Sequence, residues 1–258
     1  MTRLRFAAAA LAAAAALAAC GDESGPQRIL GSLPGSRVRF FNYSVNAPSV
    51  NFYANDAKLT AISSTTNQES TLGTAFGQAA AGGRYLGIAA GQYTFSGRIS
   101  AATDNNVPVA TAATTVESGK KYSFYMSGMY DAAAKRSEAF VVEDPFSETI
   151  DFTVTTVRFV NAISNSQPMI LYARNTTDGT ERPVGAAVAY RAAGAFVTLP
   201  PGSYDLSVRA PNGTTALITR TAVGLGGGQV YSVSARGDMT VTSTTAANRP
   251  QLESTGLR

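Results

Sequence analysis

The chain repeats itself once, and that repeat limits what it can fold into more than any other feature. Val38-Arg39-Phe40-Phe41-Asn42 recurs as Val157-Arg158-Phe159-Val160-Asn161 at an offset of 119, and Tyr53-Ala54 recurs as Tyr172-Ala173 at the same offset. Gly91, Tyr93, Ser96 and Arg98 answer to Gly202, Tyr204, Ser207 and Arg209 at an offset of 111. Gly119, Tyr122, Ser123 and Gly128 answer to Gly228, Tyr231, Ser232 and Gly237 at an offset of 109. The blocks keep one order, and the drift falls between them. A solenoid unit has roughly 20 to 50 residues, so this period marks two whole domains in tandem.

Each copy reads as strands and turns. Val38 and Phe40 alternate with Arg39, Tyr122, Phe124 and Met126 alternate with Ser123 and Ser127, and Tyr231 and Val233 alternate with Ser232 and Ser234. Period-two alternation of aromatic and β-branched residues predicts half-buried strands. Asn55-Asp56, Asp178-Gly179 and Asn212-Gly213 lie between such runs, where residues tolerant of positive φ make tight hairpins. The one short helix-friendly spot is Ala132 to Arg136. Short strands in copies of about 100 residues favour an antiparallel β-sandwich of the immunoglobulin type.

The N-terminus has the layout of a secretory signal. Arg3 and Arg5 precede an apolar, alanine-rich run from Phe6 to Ala16, which is shorter than the ~20 residues of a membrane-spanning helix. Leu17-Ala18-Ala19-Cys20 then resembles the lipobox of bacterial lipoproteins. That resemblance implies a diacylglyceryl group on the Cys20 thiol, cleavage before Cys20 and acylation of the new amino group. Several acyl chains anchor stably where one is marginal, because each buried methylene contributes ~0.8 kcal/mol. Gly21, rather than an aspartate, follows the cysteine, which in that family favours the outer membrane. Cys20 is the sole cysteine, so no internal disulfide is available.

The segment from Val38 to Tyr53 resembles the opening signature of the bacterial "domain of unknown function 4397" family, a valine-arginine strand followed by an Asn-Ala-Ser-Pro-Asp-Ala-Pro turn and a Val-Asp-Val-Tyr strand. Gly91-Gln92-Tyr93 and Pro200-Pro201-Gly202-Ser203-Tyr204 resemble its Pro-Ala-Gly-Thr-Tyr turn, and Gly119 to Tyr122 and Gly228 to Tyr231 its late strand. Asn46 and Asn51 stand where the family commonly has aspartates, and Asn165-Ser166-Gln167-Pro168 replaces the Pro-Asp-Ala-Pro segment in the second copy. The resemblance implies exported, often lipid-anchored β-domains, and no reaction.

Little in the composition supports catalysis. The chain has no histidine, which removes the usual proton carrier near neutral pH and every serine or cysteine triad that needs one. With one thiol and no imidazole, a zinc site is not expected. The formal net charge is +4, two units of which are the n-region arginines, and the remaining basic residues form no stripe for nucleic acid. The densest acidic group, Glu138, Glu143, Asp144 and Glu148 around Pro145, reads as a solvated interdomain linker. Gly224 and Gly226 to Gly228 precede a strand rather than a helix, so they read as a turn and not a phosphate loop.

Arg39 and Arg158 invite two readings: ligand-binding arginines on an exposed sheet face, or outward arginines whose stems cover apolar surface while Asn42 and Asn161 bond the backbone at the strand ends. Tyr85, Tyr93, Tyr122, Tyr125 and Tyr130 crowd the first copy's second half, mostly at strand positions. The expected chain is all-β, with two tandem antiparallel β-sandwich (immunoglobulin-like) domains at 37–146 and 147–243. A signal peptide (1–19) and a lipidated cysteine with polar spacer (20–36) precede them, and a disordered tail (244–258) follows. The expected role is a non-catalytic binding or structural module of the cell envelope, with no cofactor and no metal. Its partners would be the membrane, through acyl chains on Cys20, and an envelope protein or glycan. Candidate binding residues are Arg39, Arg158, Tyr93 and Tyr125. A carbohydrate-binding accessory protein would instead need exposed tyrosines clustered on one face. A carboxylate-dependent glycoside hydrolase would need two acids about 5 to 9.5 Å apart in a cleft.

Overall fold

The computed structural model describes residues 35–60 and 72–258. The signal peptide, Cys20 and most of the spacer lie outside the described residues. Residues 34–258 form one unit, in which the two copies pack against each other.

The first copy contains β1 (Ser36–Asn42), β2 (Val50–Ala54), β3 (Ala57–Lys58), β4 (Gln78–Ala79), β5 (Leu86–Ile88), β6 (Gly91–Ile99), β7 (Pro108–Val116), β8 (Lys121–Asp131) and β9 (Arg136–Glu143). The second contains β10 (Thr155–Asn161), β11 (Ile170–Asn175), β12 (Glu181–Pro183), β13 (Ala192–Ala193), β14 (Val197–Leu199), β15 (Gly202–Arg209), β16 (Ile218–Leu225), β17 (Val230–Arg236) and β18 (Gln251–Gly256). The copies correspond strand for strand. One sheet of each runs β4-β1-β8-β9 or β13-β10-β17-β18, and the other β3-β2-β6-β7 or β12-β11-β15-β16.

Two expectations need correction. The sandwiches are antiparallel except at one place in each copy, where the first strand runs parallel to the eighth: Phe40 faces Phe124 across β1 and β8, and Phe159 faces Val233 across β10 and β17. The supposed disordered tail contains β18, which pairs along the whole of β17 and buries Leu252 and Leu257. Without it β17 would have a bare edge, just as β8 would without β9.

The turns follow residue chemistry. Asn55-Asp56 closes the two-residue hairpin between β2 and β3, with Asn55 at φ 52°, a left-handed conformation that asparagine tolerates. Asn212, at φ 64°, turns the chain between β15 and β16.

Each copy has its own core. In the first, Phe40, Phe52, Phe95 and Phe124 converge from β1, β2, β6 and β8, with Phe40 stacked on Phe52 at 5.0 Å and edge-on to Phe95 at 5.5 Å. Their counterparts in the second copy are Phe159, Leu171, Leu206 and Val233. The outer faces of the two first-strand sheets are also buried, because they meet. Phe41, Tyr43, Tyr125 and Phe140 of one copy form a cluster with Val160 and Ala162 of the other. The result is four layers of sheet, with the two first-strand sheets inside.

Candidate functional site

β1 aims Val38 and Phe40 at its own core and Arg39 and Phe41 at the other copy, and β10 does the same with Val157, Phe159, Arg158 and Val160. The two recurrent arginines are therefore buried in the seam between the copies, 0% and 1% exposed. Burying two guanidinium groups would be costly if they were unpaired, and the seam supplies partners. Arg158 donates through Nη1 to the Glu143 carbonyl at 2.7 Å and through Nη2 to the Asp144 carboxylate. Arg39 donates through Nε to Ser123 Oγ at 2.7 Å and through Nη1 to the Gly256 carbonyl at 3.4 Å, and its Nε lies 3.6 Å from Asp144 Oδ2. Each guanidinium also lies over an aromatic ring, Arg39 over Tyr85 at 5.0 Å and Arg158 over Phe196 at 4.8 Å.

The bonds are reciprocal. Glu143 faces Tyr122 across β8 and β9 as Gly256 faces Tyr231 across β17 and β18, so each arginine caps the last strand of the opposite copy at the equivalent carbonyl. Ser234 Oγ, the counterpart of Tyr125, lies 3.5 Å from the Tyr125 hydroxyl, which places that pair on a pseudo-twofold axis. Tyr190 reaches Ser127 at 2.9 Å and Glu138 at 3.1 Å, while its counterpart Phe76 lies beneath Arg236, the counterpart of Ser127.

One element breaks the symmetry. Asp144 N donates to the Lys121 carbonyl and Leu257 N to the Val230 carbonyl, both at 2.7 Å, so these residues are equivalent. A single carboxylate thus serves two arginines. Asp144 also accepts from Ser123 Oγ at 2.6 Å and from the Tyr85 hydroxyl. Burial raises the Tyr85 phenol well above its ordinary value, so it stays protonated and remains a donor. Arg39 Nη2 has no hydrogen-bond partner among the described residues.

Three candidate binding residues, Arg39, Arg158 and Tyr125, therefore lie on no exposed face: their sheet face does point away from its own core, but the other copy covers it. Tyr125 stacks between Phe41 at 4.6 Å and Phe140 at 5.0 Å. Tyr93 is half-buried, stacked on Phe95 at 5.8 Å beside a shallow groove with Asn55, Gln92 and Thr114. Tyr122 is buried, and Tyr85 and Tyr130 are half-buried, so the tyrosines make no single exposed patch among the described residues. The acidic group is no solvated linker either. Glu138 and Glu143 are exposed positions of β9, Asp144 is buried, and Glu148 is the most exposed of the four.

A roomier concavity lies elsewhere, and sequence reasoning missed it. An open groove of about 780 Å³ runs between the edge strands β7 and β9, lined by Val109, Met129, Asp131, Arg136, Glu138 and, from the second copy, Arg191. Its counterpart between β16 and β18 is about 320 Å³. The two grooves differ at one pair of positions. Arg220 donates to the Leu252 carbonyl at 2.9 Å and bridges β16 to β18, whereas the equivalent residues of the first copy are Ala112 and Ala139. The groove's carboxylates are already engaged. Asp131 accepts from the amides of Ala133 and Ala134, and Glu138 from Tyr190, with Arg191 at 3.6 Å. Burial pushes the Tyr190 phenol up to about 12. Among the described residues, no group of histidine, cysteine or carboxylate side chains could hold a metal ion.

Among solved structures, a "putative cell adhesion protein" from Bacteroides ovatus matches 88% of this chain and 99% of its own at 10% identity, with a TM-score of 0.22, a likeness too slight to argue from. No curated protein matches. The family described as "Domain of unknown function (DUF4397)" matches twice, over residues 36–172 and 155–255. Those spans agree with the duplicated sandwiches, and the second reaches into β18: the chain belongs to the DUF4397 family, with two copies of its domain.

Proposed function

We propose that this chain is a non-catalytic binding or structural module of the bacterial cell envelope, tethered to a membrane by acyl chains on Cys20, with the outer membrane as its location. The observation that carries this reading is the use made of the recurrent motif residues. Arg39, Arg158 and their partners fasten one copy to the other, so the duplicated pattern preserves a joint. A joint of buried arginines, a carboxylate and stacked rings holds two sandwiches as one body, which suits presentation of a surface at a distance from a membrane. The groove between β7 and β9 is the surface offered. An exposed Arg136, whose guanidinium has no hydrogen bond or ion pair among the described residues, stands on its rim.

Two measurements test the reading. Cells fed radioactive palmitate should label the wild-type chain and not Cys20→Ser, and an unlabelled wild-type chain in a host that labels other lipoproteins refutes the anchor. Affinity capture from envelope extracts should enrich one partner for wild type and lose it for Ala112→Arg, which carries the plug of the second copy into the groove of the first. Equal capture by both proteins removes the groove from the reading.

A further inference from the structure

The end of the molecule where the chain emerges from the spacer carries an apolar tip. Phe152 is 75% and Ile150 53% exposed, and both belong to the connection between the copies. They lie against the turn before β17, where a Cβ on Gly228 would meet Ile150 Cγ2 at 3.0 Å and Phe152 Cδ1 at 3.1 Å. Pro201 adds to the same patch, since it and the Phe152 backbone would both meet a Cβ on Gly227.

A chain of contacts ties this tip to the start of β1. Arg37 N donates to the Lys120 carbonyl at 3.0 Å, and Lys121 forms an ion pair with Glu148. Arg258 donates to the carbonyls of Ser147 at 3.0 Å, Thr149 at 3.4 Å and Gly228 at 3.0 Å. The hydrogen bond from Lys121, helped by the charges of Lys121, Arg37 and Arg258, holds the Glu148 carboxyl below its ordinary value, and the four groups share one end of the fold. The chain from Cys20 to Ser36, 16 residues on, spans at most about 55 Å. A membrane holding Cys20 is therefore within reach of this end, and tethering makes a second, weak contact intramolecular.

We propose that Ile150 and Phe152 form a foot that seats in the interface of the bilayer into which the acyl chains on Cys20 insert, fixing the tilt of the two-sandwich body. The proposal rests on the anchor put forward above. The occupant is a lipid surface, because the charges here are matched. Lys120 pairs with Glu117 at 3.1 Å and Glu143 at 3.2 Å, and Lys121 with Glu148, which leaves apolar area as the attraction. Asp151, between the two apolar residues, folds back on Thr153 through bonds of 2.9 and 2.6 Å and keeps the foot shallow, about 5 to 10 Å into the headgroup boundary.

The chain has no tryptophan, so one introduced indole reports its own surroundings. Full-length Phe152→Trp is reconstituted in phosphatidylcholine vesicles brominated on the upper acyl chain, beside Leu217→Trp, whose site is 44% exposed at the far end of β16. The expected result is blue-shifted emission and loss of intensity to bromine for Phe152→Trp, water-like and unquenched emission for Leu217→Trp, and no dependence on added anionic lipid. An acylated chain, verified by intact mass, whose Phe152→Trp emission matches that of Leu217→Trp overturns the foot alone. A chain without acyl groups that washes off the vesicles overturns the anchor and the foot together.

Discussion

Replacing Asp144 with asparagine removes the only carboxylate among the described residues that faces Arg39 and Arg158. Its side chain is fully buried, and it accepts from Arg158 Nη2, Ser123 Oγ and Tyr85 Oη, with Arg39 Nε at 3.6 Å. The amide keeps one acceptor but turns an NH₂ group toward a ring of donors, and two buried guanidinium ions lose their counter-charge. Removing one partner of a buried ion pair costs about 3 to 5 kcal/mol, much of a typical total stability of about 5 to 15 kcal/mol. With a urea slope of about 3 kcal/mol per molar, the unfolding midpoint of Asp144→Asn should fall by about 1 M or more. The symmetry supplies a rescue. Leu257 occupies the equivalent place beside Arg39, so Asp144→Asn with Leu257→Asp returns a carboxylate to the seam, and its midpoint should lie above that of Asp144→Asn alone. An Asp144→Asn protein within roughly 0.5 kcal/mol of wild type, the range of a neutral surface change, would refute the claim that the seam depends on this charge.

Three further outcomes follow from the same geometry. Gly97→Ala sets a methyl group against Met126 Sδ in the packed first core and should cost about 1 to 3 kcal/mol in urea unfolding. A chain ending at Pro250 lacks β18, so β17 gains a free edge and Arg39 loses the Gly256 carbonyl; limited proteolysis should cut the second copy far faster than in wild type. Glu148 has a lowered folded pKa because Lys121 bonds it, so its contribution is present above the ordinary carboxylate value of 4.5 and is lost as pH falls through the folded value. The carboxylate is 67% exposed and therefore screened, so Glu148→Gln should cost under about 1 kcal/mol at pH 7 and match wild type at pH 2 in thermal melts.

The duplication, the strand character of each block and the hairpins at Asn55, Gly179 and Asn212 are legible in the sequence because each depends on local chemistry: alternation, or tolerance of positive φ. Alternation also indicates that Arg39 and Arg158 point away from their own cores. It is silent on what covers that outer face, because the cover belongs to the other copy, and the cluster joining Phe41, Tyr125 and Val160 leaves no periodic trace. Asp144 misleads for the same reason, since a carboxylate next to a proline in an acidic stretch has the composition of a linker. β18 is hidden by its polar residues, Gln251, Glu253, Ser254 and Thr255, yet the repeat contains a signal for it. A strand follows the Tyr122 block in the first copy, and the Tyr231 block requires its counterpart.

The fused chain achieves what two identical domains meeting across the same faces could not. On a true twofold axis, a tyrosine at position 125 would meet its own copy, whereas here Tyr125 meets Ser234 and the small residue makes room for the large ring. At the next pair of equivalent positions Ser127 bonds Tyr190 on one side and Arg236 covers Phe76 on the other. An aspartate at both equivalent sites would bury two carboxylates with two arginines, and a leucine at both would bury two arginines with none. The single Asp144 lies between these extremes, at the cost of one unpartnered nitrogen on Arg39. The members of each of these pairs differ, and a pair can differ only where the copies are distinct. The joint is symmetric in backbone and complementary in side chains, so its specificity is for the other copy of the same chain. The first domain alone would set Tyr125 against Tyr125 across that face, and that contact opposes self-association.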